Sequence, residues 1–385
     1  MSAVVHRRAW AGASAIRAPI ALIAPFVAPL RPAQLGGAQS VVADLGRALA
    51  DAGEDVEIIA SPRSRLPGVP LHRVDTGPFP AAALRFTADG WGAREPRNDV
   101  DAQEGAFGGA VTRVLRRGGL YHSHAFDAAA FVVPARRGVV ALHTLHLGPI
   151  DSAVIDAAVA ASHSAVPARL VAVSASVAGA WSAHVDVAAV VPNGADPDRI
   201  PAGRGWHRDR AVIAGRISPE KGTDVAIDAA LRAGMRVLLV GDVYDDDYWR
   251  EVVTPMVDGD TVRHLSARAR SQLHRIIGAS AVSICAPRWD EPFGMVALES
   301  AMTGTPVAAL GRGGLTELVG PLCGRLADGS DAVALARAVT AAAGLDRALV
   351  RADVVQRYSM EAMVARYRAV YAGMPVLPPA PQETR

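Results

Sequence analysis

Short apolar runs alternate with helix-period stretches along most of the chain, and this alternation permits few architectures. In the first half the runs are Ile20–Ala24, Val56–Ala60, Leu120–Ala125, Val139–His146 and Leu170–Ser174. In the second half they recur near Ala211, Val237, Val262, Ala281 and Pro306. Each is strand-sized, and helical patterning follows several of them. The clearest helix spans about Ala38 to Ala52, with Gly53 as its stop. Strands alternating with helices give parallel sheets covered on both faces. The turn Pro192-Asn193-Gly194, within Val190–Asp196, breaks the pattern midway. The expectation is an α/β chain of two Rossmann-like, doubly wound domains, residues 18–192 and 193–358. Ser359 then caps a last helix within 359–373, between a flexible leader (1–17) and a proline-rich flexible tail (374–385). Residues 61–100 are Pro- and Gly-rich and carry no clear pattern.

Composition narrows the class. Half of the 385 residues are hydrophobic and 20% are charged, which describes a globular chain with a large core. The net charge is +2 and the basic residues are scattered, so no nucleic-acid partner is expected. The one basic cluster, Arg113 to Arg117, reads as the polar face and end of a helix. Cys285 and Cys323 are too few for a disulfide framework or a zinc site, which fits a cytoplasmic location. His6-Arg7-Arg8 followed by apolar residues to Leu30 mimics a secretion signal, but Pro19, Pro25 and Pro29 interrupt it. No window supplies the ~20 apolar residues of a membrane-spanning helix.

Two segments carry chemistry. In the first, Asp290 to Glu299, Pro292 can open a helix because its missing N–H would have no partner there. The free N–H groups of the first turn then suit a phosphate or sugar oxygen beside Glu291. Glu299 falls about two turns on, on roughly the same side, where a carboxylate can accept from a ribose diol. In the second, a strand ends at Gly215, a loop carries Arg216 and Lys221, and a helix starts near Thr223 and Asp224, both good caps. A planar cationic fork and a mobile point charge together suit a diphosphate.

These motifs, with Gly313-Gly314-Leu315-Thr316-Glu317, resemble the retaining GT-B glycosyltransferases of family 4 (glycosyl transferases group 1). The family pattern of G-R-x-x-x-x-K-G, then E-x7-E, then a Gly-Gly turn matches in order and spacing across Val191 to Gly320. The resemblance implies two domains facing a central cleft, with the C-terminal helix crossing back onto the first. It implies transfer of a sugar from a nucleotide-diphosphate sugar to a hydroxyl acceptor, whether small molecule, lipid or saccharide. Catalysis falls to Glu291, Arg216, Lys221 and His124, and donor binding to Gly37, Gly215, Phe293, Gly294, Met295, Val296, Glu299 and Gly314. His124 enters as the second histidine of His122-Ser123-His124, near the donor sugar; Gly37 enters through the Gly36-Gly37 loop. No cofactor and no metal are expected.

Other readings are weaker. A nicotinamide dehydrogenase needs a third glycine where the loop reads Gly36-Gly37-Ala38-Gln39-Ser40. Asp245-Asp246-Asp247 has the carboxylates a divalent metal takes, yet it stands just before an expected helix, Tyr248 to Met256, where acidic residues complement the dipole. His143 and His146 end a strand and are expected to face the cleft, in no standard zinc spacing. A sugar-nucleotide epimerase, or a catalytically silent sugar-nucleotide-binding protein, would share the fold.

Overall fold

A computed structural model describes residues 16, 18–31, 37–76, 85–87, 90–92 and 100–379. The first half holds β1 (Ile20–Ile23), β2 (Val56–Ala60), β3 (Leu71–Arg73), a hairpin of β4 (Arg85–Thr87) and β5 (Gly90–Gly92), β6 (Leu120–Ser123), β7 (Ala141–Leu145), β8 (Arg169–Ala172) and β9 (Ala189–Val190). The second holds β10 (His207–Ala214), β11 (Arg236–Val240), β12 (Val262–Leu265), β13 (Ser280–Cys285), β14 (Val307–Ala309) and β15 (Gly324–Leu326). The helices are α1 (Gly37–Asp51), α2 (Val100–Arg117), α3 (Ala128–Arg136), α4 (Ser152–Ser162), α5 (Ala175–Trp181), α6 (Thr223–Arg232), α7 (Asp246–Tyr248), α8 (Arg270–Gly278), α9 (Met295–Met302), α10 (Leu315–Leu318), α11 (Ala332–Ala343), α12 (Arg347–Tyr358) and α13 (Met360–Ala372).

Two parallel sheets result, ordered β3-β2-β1-β6-β7-β8-β9 and β12-β11-β10-β13-β14-β15. Period-2 alternation assigns each strand's side chains to two cores. Ile20 and Leu22 pack with Val42, Leu45 and Leu49 of α1 and with Met363 and Tyr367 of α13. Ala21 and Ile23 face the other way, toward Phe107 and Val111 of α2 and Phe131 of α3. Burying one such Leu or Ile fully contributes ~1.5–3 kcal/mol, and a one-residue slip would exchange the two faces. In the second sheet, Ala211, Ile213 and Leu239 pack with α6 and α11, while Val212 and Leu238 pack with α8.

Each sheet has one place where strand order reverses. In the first it lies between β1 and β6, in the second between β10 and β13. Ligands of open α/β sheets bind beyond the carboxyl ends of such a pair.

The last helix returns to the first domain as expected. Ser359 caps it, its Oγ accepting from Ala362 N at 3.3 Å. Arg368 reaches across to Glu54 at 2.6 Å, and Tyr371 OH lies 2.7 Å from His122 Nδ1. Where the chain passes between the halves, Ala195 N donates to Tyr358 O and Met360 N donates to Ala195 O, each at 3.0 Å.

Several elements differ from the sequence reading. The expected helix over Tyr248–Met256 is one α-helical turn, a π stretch (Trp249–Val253) and a 3-10 turn (Thr254–Met256). Pro255 explains the break, since it has no N–H for an i→i−4 bond and its ring crowds the preceding turn. Asp245 caps the start, accepting from Tyr248 N at 2.9 Å, and Asp247 pairs with Arg250 at 2.8 Å. Residues 374–379, expected as loose tail, are pinned: Leu377 exchanges backbone hydrogen bonds with Gly119 at 2.8 and 3.0 Å. The strands β3, β9 and β15 have two or three residues each, too few to show a period. The Arg113–Arg117 cluster does end a helix, and Arg113 pairs with Glu57 at 2.9 Å. Most of the expected leader (1–15 and Arg17), residues 380–385 and the loop residues Gln34 to Gly36 lie outside the described residues.

Candidate active site

The second switch point is shaped by glycines. Gly215 follows β10 with φ +138°, and a Cβ on Gly241 would sit 1.7 Å from the Gly215 carbonyl oxygen. Gly222 has φ +60°, and a Cβ there would stand 1.9 Å from the carbonyl oxygen of Ala286. Glycine alone lets α6 begin pressed against the end of β13. Gly222, not Thr223 or Asp224, therefore occupies the N-cap, and it offers no side-chain cap. Asp224 is engaged elsewhere: its Oδ1 accepts from Tyr248 OH at 2.6 Å and its Oδ2 pairs with Arg288 Nη2 at 2.6 Å. Arg288 also donates from Nη1 to the carbonyl of Pro219 at 3.0 Å.

That packing delivers Lys221, the only lysine in the sequence, to the loop after β13. Its Nζ lies 2.7 Å from Glu291 Oε2. Trp289 Nε1 donates to the same oxygen at 3.1 Å, and the ammonium sits 5.3 Å from the Trp289 ring centroid. Arg216 is half exposed, 3.4 Å from Glu220 and 4.7 Å over the Tyr244 ring.

Pro292 does not open the helix as the sequence suggested. The helix α9 starts at Met295, because Gly294 at φ +98° turns the chain first. A Cβ on Gly294 would meet Leu315 Cδ2 at 2.5 Å. No side chain caps α9, so its first-turn N–H groups point out toward the switch point. Gly313 and Gly314 pack on the Glu291–Phe293 backbone, and Gly314 N donates to the carbonyl of Glu291 at 2.7 Å. The Gly314 N–H is thus committed to the turn and is not a free donor for a ligand. Phe293 is buried with its ring edge-on to Tyr358, centroids 5.7 Å apart, so its side chain belongs to the core.

Glu299 is buried and held by basic partners. Arg270 donates to its Oε1 from Nε (3.1 Å) and Nη2 (2.8 Å), and His274 Nε2 lies 2.9 Å from Oε2. Arg270 Nη1 also reaches Asp44 of α1 at 2.5 Å, tying the two domains together. Arg270 and His274 hold the Glu299 carboxyl below its usual range against the upward push of burial. A second tie joins the domains at α10, where Glu317 accepts from the backbone N–H groups of Ala175 and Ser176, each at 2.8 Å.

On the first domain, His124 is wholly buried at the end of β6, its Nδ1 2.9 Å from His146 Nε2. His122 lies between Thr144 Oγ1 (2.8 Å) and Tyr371 OH (2.7 Å). His143 does not face the cleft. It stacks under Phe131 of α3 with centroids 4.3 Å apart, on the sheet face opposite Thr144. Burial pushes all four histidines down, His146 to about 4 and His143 to about 3. Gly37 begins α1 with φ +80° and is exposed. Among the described residues, no three His, Cys, Asp or Glu side chains are grouped to hold a metal ion.

The chain matches the Glycosyltransferase Family 4 family over residues 35–199 and the Glycosyl transferases group 1 family over residues 205–347. It belongs to the group 1 glycosyltransferases. This glycosyltransferase is 29% identical over 397 residues to a D-inositol 3-phosphate glycosyltransferase from Acidothermus cellulolyticus, covering 87% of this chain and 85% of that one. It is 29% identical to a protein of the same name from Stackebrandtia nassauensis, covering 78% and 77%. Among solved structures, a sucrose-phosphate synthase from Thermosynechococcus elongatus superposes with a TM-score of 0.74 at 21% identity, covering 93% of this chain and 100% of that one. AviGT4, a glycosyltransferase involved in avilamycin A biosynthesis, gives 0.66 at 22% identity, covering 93% and 99%. Anabaena HepE in complex with UDP and glucose gives 0.70 at 18%, covering 93% and 100%. These last three establish the GT-B fold.

In this glycosyltransferase the structure brings Lys221, Glu291 and the start of α9 (Met295, Val296) to one switch point, with Arg216 and Gly215 on the same loop. His124 and Gly37 stand at the switch point of the first sheet. Three residues of the assembly escaped the sequence reading. They are Trp289, which bonds Glu291, Arg288, which bonds Asp224 and Pro219, and Arg270, which bonds Glu299. Nothing local marks an arginine whose partners, such as Asp44, lie 226 positions away.

Proposed function

We propose that this glycosyltransferase moves a sugar from a nucleotide-diphosphate sugar to a hydroxyl acceptor, with retention of anomeric configuration and without a metal. The observation that carries the reading is the Lys221–Glu291 pair beside the uncapped start of α9, at the β10/β13 switch point. As the bond from the anomeric carbon to the diphosphate breaks, negative charge grows on the leaving oxygens. Lys221, Arg216 and the α9 N–H groups would offset such charge, the backbone N–H groups without reorganisation. Glu291, anionic beside the reacting carbon, favours the oxocarbenium-like state and keeps Lys221 in position when no donor is bound. The acceptor oxygen bonds to the anomeric carbon, and its proton passes to the departing phosphate. His124 is held neutral by burial and acts as a hydrogen-bonding wall of the sugar site, not as a cation.

Glu299 has room for the ribose only in part. Each carboxylate oxygen accepts about two hydrogen bonds, and Arg270 and His274 already use three of those four positions. A ribose diol therefore engages Glu299 by displacing one Arg270 N–H.

The test is to incubate the protein with UDP-, GDP- and ADP-sugars and a hydroxyl acceptor, with and without EDTA. Products are identified by mass and the new anomeric centre by NMR. Transfer with retained configuration, unchanged by EDTA, is the expected result; inversion or loss of transfer in EDTA would overturn the corresponding part.

A further inference from the structure

Lys221 and Glu291 come from different loops, 70 positions apart in the chain, yet the ammonium stands 2.7 Å from Glu291 Oε2. Lys221 ends the 3-10 turn Pro219–Lys221 that follows β10, and Glu291 lies in the loop after β13. A lysine ammonium rides on a flexible stem, so its place depends on how firmly its turn is held. Arg288 holds that turn on both sides of the lysine. Before it, the Arg288 backbone N–H donates to the carbonyl of Glu220 at 2.9 Å, and Nη1 donates to the carbonyl of Pro219 at 3.0 Å. After it, Nη2 pairs with Oδ2 of Asp224 in the first turn of α6, at 2.6 Å. Tyr248 completes the hold: its OH donates to Asp224 Oδ1 at 2.6 Å and accepts from Asp224 N at 3.1 Å. Against the upward push of burial, Arg288 and Tyr248 keep the Asp224 carboxyl below its usual range.

We infer that Arg288 is a positioning residue for transfer: it locks the Lys221 turn to the Glu291 loop, so that the ammonium is in place before a donor arrives. The inference rests on the donor site proposed above and adds to it a residue that acts through Lys221. Gly222 brings the two loops together at Ala286, and Arg288, just beyond Ala286, fixes the turn that precedes Gly222. The planar fork of a guanidinium can meet a carboxylate oxygen and a carbonyl at once, which the point charge of an ammonium does not do. Arg216 offers the contrast. It stands half exposed on the same side of the site, as suits a ligand, whereas Arg288 bonds the chain before and after Lys221, as suits a framework. A misplacement of about 1 Å can lower a rate as much as ~10²-fold, so a residue that touches no substrate can still govern turnover.

The test is the variant Arg288→Met in the full chain, which keeps an unbranched stem and removes the fork. Its first arm needs no donor. Lys221 is the only lysine in the sequence, so an amine-selective reagent is applied at fixed pH and acylation of the Lys221 peptide is followed over time. An ammonium released from its carboxylate should acylate faster, by roughly tenfold. A rate equal to that of wild type would overturn the inference and leave the donor site standing. The second arm measures binding of UDP, GDP and ADP by ligand-observed NMR in wild type, Arg288→Met, Lys221→Met and the double variant. Because Arg288 acts through Lys221, Arg288→Met should weaken the preferred nucleotide several-fold in the native background and leave it unchanged in the Lys221→Met background. Equal effects in the two backgrounds would overturn the inference, since Arg288 would then act without Lys221. Absence of binding by all three nucleotides, or binding by Lys221→Met as tight as that of wild type, would instead overturn the donor reading, and this inference with it. Should Arg288→Met misfold by leaving Asp224 unpaired, adding Asp224→Asn removes that charge and keeps an acceptor for Tyr248, and the same two arms decide.

Discussion

Replacing Arg270 by methionine tests the tie between the two domains and the donor site at once. The exchange keeps an unbranched stem of similar reach and removes only the guanidinium. In the native protein that group is mostly buried, as are its partners, with side-chain exposures of 17% for Arg270, 5% for Glu299 and 10% for Asp44. Breaking a buried pair by removing one partner leaves an uncompensated charge and costs about 3–5 kcal/mol. For a domain of this size each kcal/mol moves the melting temperature by about 2–4 °C, so the drop should be roughly 6–20 °C.

The pH dependence identifies the cause. In the wild type the folded Glu299 carboxyl is held below its usual value, so its contribution is present at neutral pH and lost as pH falls through that lowered value. Without Arg270, burial dominates and the folded pKa rises above the unfolded one. The ionised form then opposes folding, so the variant's deficit should be largest near pH 8 and shrink toward pH 5. Adding Glu299→Gln should recover much of the loss at pH 8. Urea unfolding of wild type, single and double variants at both pH values measures this. A single variant within ~1 kcal/mol of wild type at pH 8, or a deficit that does not change with pH, would refute the reasoning.

Three further outcomes are expected. His122, His124, His143 and His146 are all held neutral by burial, with folded pKa values below the unfolded ~6.5. Stability should fall as pH drops from about 6.5 toward 4, by up to ~1.4 kcal/mol per pH unit per histidine, in urea titrations at stepped pH; a flat profile there would contradict their burial. Gly222→Ala forces a methyl to 1.9 Å from the Ala286 oxygen at φ +60°, so it should destabilise by more than ~1 kcal/mol and impair transfer. A fully active and stable Gly222→Ala would show that α6 can shift freely. Trp289→Phe removes the N–H that holds Glu291 but keeps a ring under Lys221, so kcat should fall several-fold with the melting temperature little changed; unchanged kcat would release Trp289 from any part in positioning.

The large features of the fold were legible because they repeat. Apolar runs such as Ile20–Ile23 and Val237–Val240 are long enough, and buried enough on both faces, to read as central strands. Edge strands such as β3 and β15 have three residues and no period to read. At the site, Gly215 to Gly222 and Glu291 to Glu299 were visible because short-range geometry fixes their roles. The start of α9 was misplaced by three residues, and the cap of α6 by one or two. Proline and the Thr-Asp pair have local reasons to begin a helix, but the close approach of Ala286 and Leu315 favoured the glycines beside them. What stayed hidden was long-range: Arg270 reaching Asp44, Glu317 holding α5, and Glu299 already occupied. The first two contacts exist only once the two domains have come together, and the third only once α8 has packed beside α9.

Lys221 also makes the central claim directly measurable. As the only lysine in the sequence, it is the only side-chain amine that an amine-selective acylating reagent can modify, and peptide mapping separates it from any α-amino group. The protein is acylated with and without saturating nucleotide-diphosphate sugar, and modification of the Lys221 peptide is followed over time. The account predicts that the donor slows acylation of Lys221 at least tenfold and that acylated protein loses transfer. A donor that binds and is turned over while Lys221 acylates at its unliganded rate would contradict it.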